Sequence, residues 1–542
     1  MPKSKRNVDG KASQPRAKAA ASGKSAPRSK KSSSQSDAAR PETESPTGDT
    51  AAETEIREAL NDPHRLAEAY RRVRYLRKAG QLVHWRDQFL EYRGGRYQAV
   101  PDADLSTDLT RVTKRLLNSW AKRAQAAAGE KKSVTVPKVT RGLVDNVCLV
   151  LKSLTHISDD IEQPSWLDGT GGGQRIALKN GLLDLERRVK GETHVLEPHS
   201  PRWFSLVCLE YPYEPTADCP LWRAFLNEVL EGDADRIALL QEWFGLCLTF
   251  DTSFQKYLLL VGDGANGKTV ILCILVALLG AENVSHVPLE LFGERFQLTS
   301  ALEKLANIVG EIGRPNRIAG GILKQFIGGD EMHFDRKHLP PIQARPTARL
   351  IVATNDLPTF GDSSEGTWRR PCILPFRVSI PRERQDRHLV DKLKQELPGI
   401  FNWSIQGRIR LIARGAFTEP AVSVTALTEH RNDCSPTRAF LQADVVADER
   451  GSISASDLRW HYEAVMAEEG IPPVNMRQIA KELRRLFPGC RRERASTGQR
   501  QWVYLGVRWR DADAAGPATA PLPGPTTTRP RPRAVPCPIR PK

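Results

Sequence analysis

The sequence predicts an α/β fold: a P-loop nucleotide-binding core, with a small α+β region before it, a winged helix-turn-helix after it, and a disordered tail at each end. Three observations predict this. An apolar run at 256–261 leads directly into Gly262-Asp263-Gly264-Ala265-Asn266-Gly267-Lys268-Thr269, which opens an apolar helix closed by Gly280. Two later apolar runs, 305–310 and 349–354, stop at Glu311 and at Asn355. Between residues 2 and 55 the only aliphatic or aromatic side chain larger than alanine is Val8, so that segment cannot build a core.

Composition narrows the partners. Lys and Arg number 80 against 64 Asp and Glu, a formal charge of +16 that favours a polyanion, with nucleic acid the first candidate. The nine cysteines have no CxxC spacing, so neither a zinc ribbon nor a disulfide framework is expected, and a reducing, cytoplasmic residence is. The longest apolar run, 270–279, is far short of the roughly 20 residues of a membrane-spanning helix. No apolar stretch follows the basic start, so a secretory signal is not expected.

In chain order, residues 1–55 read as a basic tail. Its Lys3-Ser4-Lys5-Arg6 and Arg28-Ser29-Lys30-Lys31 clusters suit phosphate contact, an address signal or plain solvation. An α+β domain is expected over 56–234. It opens with a helix carrying Leu60, Leu66, Ala67, Tyr70, Val73 and Leu76. A strand, Gly94-Gly95 turn and strand follow at 89–97, with a further strand at 180–185. Helices across 222–249 lead into a core placed at 235–420. A winged helix-turn-helix is expected at 435–511, and a Pro/Thr/Arg-rich tail at 512–542.

The glycine segment fits GxxxxGK[ST], in which glycines let backbone N–H groups wrap phosphates and the helix N-terminus adds a favourable dipole. Lys268 then neutralises the β and γ phosphates of ATP, and Thr269 places its hydroxyl on Mg²⁺. In doubly wound sheets ligand chemistry gathers at the carboxyl ends of strands. Glu311 is thus assigned to the Mg²⁺ shell or to polarising water, and Asn355 to sensing the γ-phosphate; taken singly, each is more often a strand-ending turn residue.

The order of motifs makes the pattern specific. Asn180-Gly181-Leu182-Leu183-Asp184-Leu185, His199-Ser200-Pro201, the glycine segment, Lys324-Gln325-Phe326-Ile327-Gly328-Gly329-Asp330, Ala353-Thr354-Asn355-Asp356-Leu357-Pro358 and Glu365-Gly366-Thr367-Trp368-Arg369-Arg370 follow one another. Over about 175–380 this resembles the helicase part of the phage and plasmid primase-helicase family, related to poxvirus primase-helicases within superfamily 3. The resemblance implies an AAA-like core in a homo-hexameric ring, ATP between subunits, and single-stranded DNA drawn through the centre with 3' to 5' polarity.

It also implies an arginine finger at Arg370, with Arg369 the alternative, acting on a neighbour's ATP; a surface arginine pair is the plain reading. Where the family places a second acid near the first, Glu311 is followed by Ile312-Gly313-Arg314, which leaves Glu311 to serve both roles or hydrolysis slow.

Residues 332–345 read as a hairpin with a basic tip, Arg336, Lys337 and His338. The resemblance makes it the DNA-contacting loop, and a solvated turn is the competing reading. Near the end, Ser454-Ala455-Ser456-Asp457 starts a helix to about 469, and 475–487 forms a second helix carrying Arg477, Lys481, Arg484 and Arg485. A hairpin follows at 491–505. Such a winged helix suits origin duplex or a protein contact. Rival functions are a full primase-helicase, for which no paired-carboxylate strand motif is found, and a P-loop DNA-binding regulator in which ATP sets only the oligomeric state.

Overall fold

The computed structural model describes residues 61–510 apart from 76–80, 129–134, 170–173, 312–319, 338, 359–364 and 495–500. The two expected tails, and His338, therefore lie outside the described residues.

Helix α1 (Pro63–Arg74) starts where Asp62 accepts a 2.8 Å hydrogen bond from the His64 N–H with Pro63 at the first helical position, a cap that satisfies an otherwise unpaired donor. Strands β1 (Leu82–Trp85), β2 (Gln88–Arg93) and β3 (Arg96–Ala99) form an antiparallel meander. Helices α2 (Asp102–Ala128) and α3 (Arg141–Thr155) cover it, with Leu66, Tyr70, Leu82, Phe89, Leu109, Val147 and Leu151 as the shared core. A second antiparallel set follows: β4 (Arg175–Leu178), β5 (Gly181–Asp184) and β6 (Leu196–Glu197).

Helices α4 (Pro220–Val229) and α5 (Ala234–Cys247) then lead to a five-stranded sheet. Its strands are β7 (Tyr257–Val261), β8 (Val284–Ser285), β9 (Ala306–Val309), β12 (Arg349–Thr354) and β13 (Pro371–Pro375). All pair in parallel, in the spatial order β8-β9-β12-β7-β13. Between β9 and β12 come helix α7 (Gly320–Gly328) and the antiparallel hairpin β10 (Met332–Phe334) and β11 (Ile342–Ala344).

Both faces of this sheet are dry. Leu258, Leu260, Ile308, Ile351, Ala353 and Leu374 belong to one core, and their neighbours Tyr257, Leu259, Val309, Leu350, Val352 and Ile373 to the other. A strand buried on both sides reads as a continuous apolar run, which is why the sequence marks these strands by their ends. Each fully buried aliphatic side chain contributes roughly 1.5–3 kcal/mol. Helix α6 (Lys268–Leu279) sinks Ile271, Ile274, Leu275, Leu278 and Leu279 into the first core. So does α8 (Leu397–Arg414), which crosses α5 closely: a Cβ on Gly245 would meet the Ser404 carbonyl at 2.3 Å.

After α9 (Ala421–Asp433) the chain builds a separate core on Phe440, Leu441, Leu458, Tyr462, Ile479, Leu483 and Tyr504. It comprises α10 (Pro436–Asp444), β14 (Val445–Ser454), α11 (Ala455–Glu468), α12 (Met476–Leu486), β15 (Arg491–Arg494) and β16 (Trp502–Trp509), with antiparallel strand order β14-β16-β15. Ser454 caps α11 by accepting from the Asp457 N–H at 3.0 Å, and Asn475 caps α12 through the Arg477 and Gln478 N–H groups. The fold is thus mixed α/β around a parallel sheet. Among the described residues no helix is long and apolar enough to cross a membrane.

Candidate functional site

The glycine segment joins β7, which lies between β12 and β13, to the N-terminus of α6. Its conformation needs glycine at two points. Gly262 has φ +154°, and a Cβ there would stand 2.3 Å from the Phe376 carbonyl oxygen; Gly267 has φ +88°, and a Cβ would stand 2.8 Å from Val229 Cγ1 and 3.0 Å from Phe225 Cζ. Gly264 has open space around it, so packing makes no such demand there.

The loop is pinned from outside as well. The Ile380 N–H donates to the Ala265 carbonyl at 2.8 Å, and the Phe376 N–H to the Val261 carbonyl at 2.7 Å. Arg236 is 3 % exposed, and its guanidinium binds the Pro375 carbonyl at 3.1 Å, the Leu230 carbonyl at 2.9 Å, Asp233 at 2.9 Å and Glu231 at 2.8 Å. It ties the α4–α5 junction to the end of β13, beside the loop. The capping pair Asp233 and Arg236 is readable as a helix start, but nothing local announces Pro375, 139 residues away.

Lys268, 8 % exposed, turns its ammonium back over the loop. It donates to the carbonyls of Gly262 and Asp263, the latter at 3.0 Å, and to Asn266 Oδ1 at 3.2 Å. Burial holds its pKa below the usual lysine range, against the attraction of Asp263. Asn266, itself buried, bonds the Asp263 carbonyl through its amide and so closes the loop on itself. Asp263, Gly264, Ala265 and Thr269 are exposed around this buried pair.

The neighbouring strand ends meet the loop at the same level. Thr354 pairs with Val261, and Val309 with Val352, so continuing the register brings Glu311 level with Thr354. Two strand spacings, roughly 10 Å, separate the β9 end from the β7 end. Glu311 and Asn355 are both exposed at this carboxyl edge. Asn307, fully buried on β9, accepts from Ser285 Oγ and from the Val287 N–H, each at 2.8 Å, and so fixes the β8 edge of the sheet.

Arg370 lies at the other end. It precedes β13, its carbonyl accepts from the Tyr257 N–H at 3.0 Å, and Pro371 pairs with Tyr257 at the start of β7. Five residues of parallel strand, roughly 16 Å, separate it from the loop edge of its own sheet. Its side chain is half-buried and bonds the Gly366 carbonyl, while Arg369 is exposed and reaches Gln255 Oε1 at 3.2 Å.

Of the hairpin tip, Lys337 is exposed but Arg336 is not free to face outward. Its guanidinium bonds the Pro340 carbonyl at 3.0 Å, the Arg86 carbonyl at 2.9 Å and Asp87 Oδ2 at 3.1 Å, leaving the side chain 12 % exposed. The β1–β2 turn that receives it holds Arg86 and Asp87 at φ +48° and +63°, and Arg86 pairs with Glu303 at 2.7 Å. Arg336, expected to grip phosphate, thus makes intramolecular contacts in this structure, and those to Arg86 and Asp87 are invisible to local pattern because these partners lie far away in sequence. Arg477 and Lys481 are exposed along α12, with Arg484 bonded through Nε to the Ala480 carbonyl at 3.1 Å.

Comparison with known proteins places this architecture. Residues 64–231 match a family described as D5 N terminal like, and residues 260–370 match one described as Family of unknown function (DUF5906). The chain is 26% identical over 343 residues to the protein named "Putative helicase L207/L206" of Acanthamoeba polyphaga mimivirus, covering 58% of this chain and 34% of that protein. It is 26% identical over 135 residues to "Putative helicase 121R" of Invertebrate iridescent virus 3, covering 23% of this chain and 14% of that one. The chain thus spans about a third or less of the length of these relatives.

The apo structure of the NrS-1 C terminal region, A form, superposes with a TM-score of 0.50 at 11% identity, over 82% of this chain and all of that one, a likeness of fold alone. The chain is therefore a mixed α/β protein. Its family matches and its viral relatives make it phage/viral primase-helicase-like.

Proposed function

We propose that the chain is an ATP-dependent DNA helicase: a P-loop, AAA-like motor that assembles into a ring, a hexamer by its resemblance, and moves along single-stranded DNA. One observation carries the reading. The loop between β7 and α6 holds a buried ammonium, Lys268, among oxygen acceptors, with an amide and an acid at the ends of the two strands beyond it, β12 and β9.

The residues present fit a nucleotide triphosphate with Mg²⁺. The cradle admits no Cβ at Gly262 or Gly267, and the Lys268 ammonium already takes oxygen partners of the kind phosphate would replace. Gly262 to Thr269 would hold the phosphates, with the Thr269 hydroxyl and Glu311 toward the metal. Bound MgATP supplies the scissile phosphoanhydride and the charge-neutralising cation. Glu311 orients and polarises water, Asn355 reads the terminal phosphate through its amide, and Arg370 acts on the neighbouring subunit's nucleotide because its own lies a strand length away.

Lys337 and the adjoining His338 supply the hairpin's phosphate contact. Residues 435–511 act as a winged helix with Arg477, Lys481 and Arg484 toward origin duplex. The working division remains 56–234, 235–420 and 435–511, and the separate core around Tyr462 and Leu483 supports the last boundary.

The test is phosphate release with and without single-stranded DNA, together with displacement of a labelled strand from a forked duplex. DNA-stimulated turnover with unwinding, both lost in Lys268→Ala, is expected. Glu311-Ile312-Gly313-Arg314, lacking a second acid, favours the alternative of a DNA-binding regulator in which ATP sets assembly. ATP-dependent assembly without DNA-stimulated turnover would select that alternative.

A further inference from the structure

The β15–β16 hairpin carries chemistry that the proposed duplex reading does not use. On β15, Arg492 and Arg494 alternate with Arg491 and Glu493, and the register sets Arg494 opposite Trp502 and Arg492 opposite Tyr504. The two guanidinium groups lie 4.3 Å and 5.1 Å from the Trp502 ring centre, yet the indole remains 40% exposed. An exposed tryptophan with two guanidinium groups over its ring is poorly explained by folding. Its burial is incomplete, and a cation–π contact at an exposed site adds only a little stability.

Basic residues continue onto α12. Tyr504, opposite Arg492, is buried in the core to which α12 contributes Ile479 and Leu483, and Arg477, Lys481 and Arg484 are exposed along that helix, so helix and hairpin both carry cations around one core. Acid is kept off this surface. Between residues 471 and 510 the only carboxylates are Glu482 and Glu493. Glu482 is buried and paired with Arg438 and Arg485, and Glu493 falls on the opposite side of β15, across from Val503.

We infer that Trp502, with Arg492 and Arg494, is a stacking site for an unpaired base of DNA, the two arginines holding the phosphates on either side of that base. Every base offers a π-face, so the site takes single strand without regard to sequence. A duplex, whose bases are already stacked, gains only the phosphate contacts. The inference rests on the proposed DNA-binding role of this module. It adds a strand-state preference: α12 takes duplex while the hairpin takes the strand that leaves it.

Binding of the full chain, without nucleotide, to a fluorescein-labelled oligothymidylate and to a blunt duplex of the same length tests this by anisotropy. Trp502→Ala is expected to weaken oligothymidylate about tenfold and to leave the duplex within about twofold, with Trp502→Phe restoring most of the loss. Arg492→Gln combined with Arg494→Gln should lower the slope of log affinity against log salt by about 1.4 on the single strand. That pair also serves if Trp502→Ala melts early. Trp460, 69% exposed on α11, is the control, and Trp460→Ala should change neither probe.

Equal losses on both probes, an unchanged oligothymidylate affinity, or a Phe variant no better than Ala would overturn the stacking site. DNA-independent ATP turnover, measured alongside, reports on the motor reading separately, since Trp502 lies outside the parallel-sheet core.

Discussion

At the carboxyl end of the parallel sheet the chain sets Lys268 at the start of α6, and Glu311 and Asn355 on neighbouring strand ends, around a loop shaped by main-chain contacts; at the amino end it sets Arg369 and Arg370 beside Gln255 and Gly366. The first end is dense and self-satisfied, with a buried lysine and glycines that allow no Cβ. The second offers an exposed Arg369 and a half-buried Arg370. A strand's length between them means that no side chain spans both, so a reaction needing both groups needs two copies of the chain.

The largest expected effects break this comparison directly. Lys268→Ala and Arg370→Ala should each lower phosphate release about a thousandfold, the first by removing the phosphate's charge partner and the second by removing the neighbour's guanidinium. Mixed after subunit exchange, the two inactive proteins should regain partial turnover, because some interfaces then join an intact loop to an intact arginine. Mixtures inactive at every ratio would mean that the two ends do not cooperate across subunits.

Glu311→Gln keeps size and hydrogen bonding but loses the charge, and should slow turnover about a hundredfold with ATP still bound, as read by a fluorescent ATP analogue. Equal loss of binding and turnover would make Glu311 a structural residue. Gly267→Ala is expected to cost about 1–3 kcal/mol in denaturant melts, since it forces a side chain into left-handed backbone against Val229. A neutral result would mean that the loop relaxes more freely than its packing implies. The smallest effect belongs to Arg369→Ala, whose exposed contact to Gln255 should leave phosphate release within about threefold. A loss comparable to that of Arg370→Ala would make the pair, rather than one residue, the acting group.

What the sequence made legible was local. The α11 and α12 caps, the Gly94-Gly95 turn, and the strand-loop-helix around Lys268 all lie within a few residues of the signals that announce them. The strands before Glu311 and Asn355 were legible for the same reason, as apolar runs with polar stops.

Pairing order was not legible, because nothing in 257–261 says that its neighbours will be 349–354 and 371–375. Nor was the fate of Arg336, since a basic residue at a hairpin tip looks the same whether it meets phosphate or the carboxylate of Asp87 in a distant turn. Arg236 was missed likewise. Its value to the loop depends on a carbonyl that only the finished sheet brings near.

The strand order also sets a schedule for synthesis. The strand that carries the glycine loop emerges before either of its sheet neighbours, and the second of these is complete only at Pro375. At roughly 10 residues per second, β7 waits about 10 s with both hydrogen-bonding edges open and Leu258, Leu259 and Leu260 uncovered. During that interval the nascent chain holds an adhesive strand with nothing to pair it. The sheet region should therefore depend on a ribosome-associated chaperone more than the helix-rich region before it, whose contacts are more local.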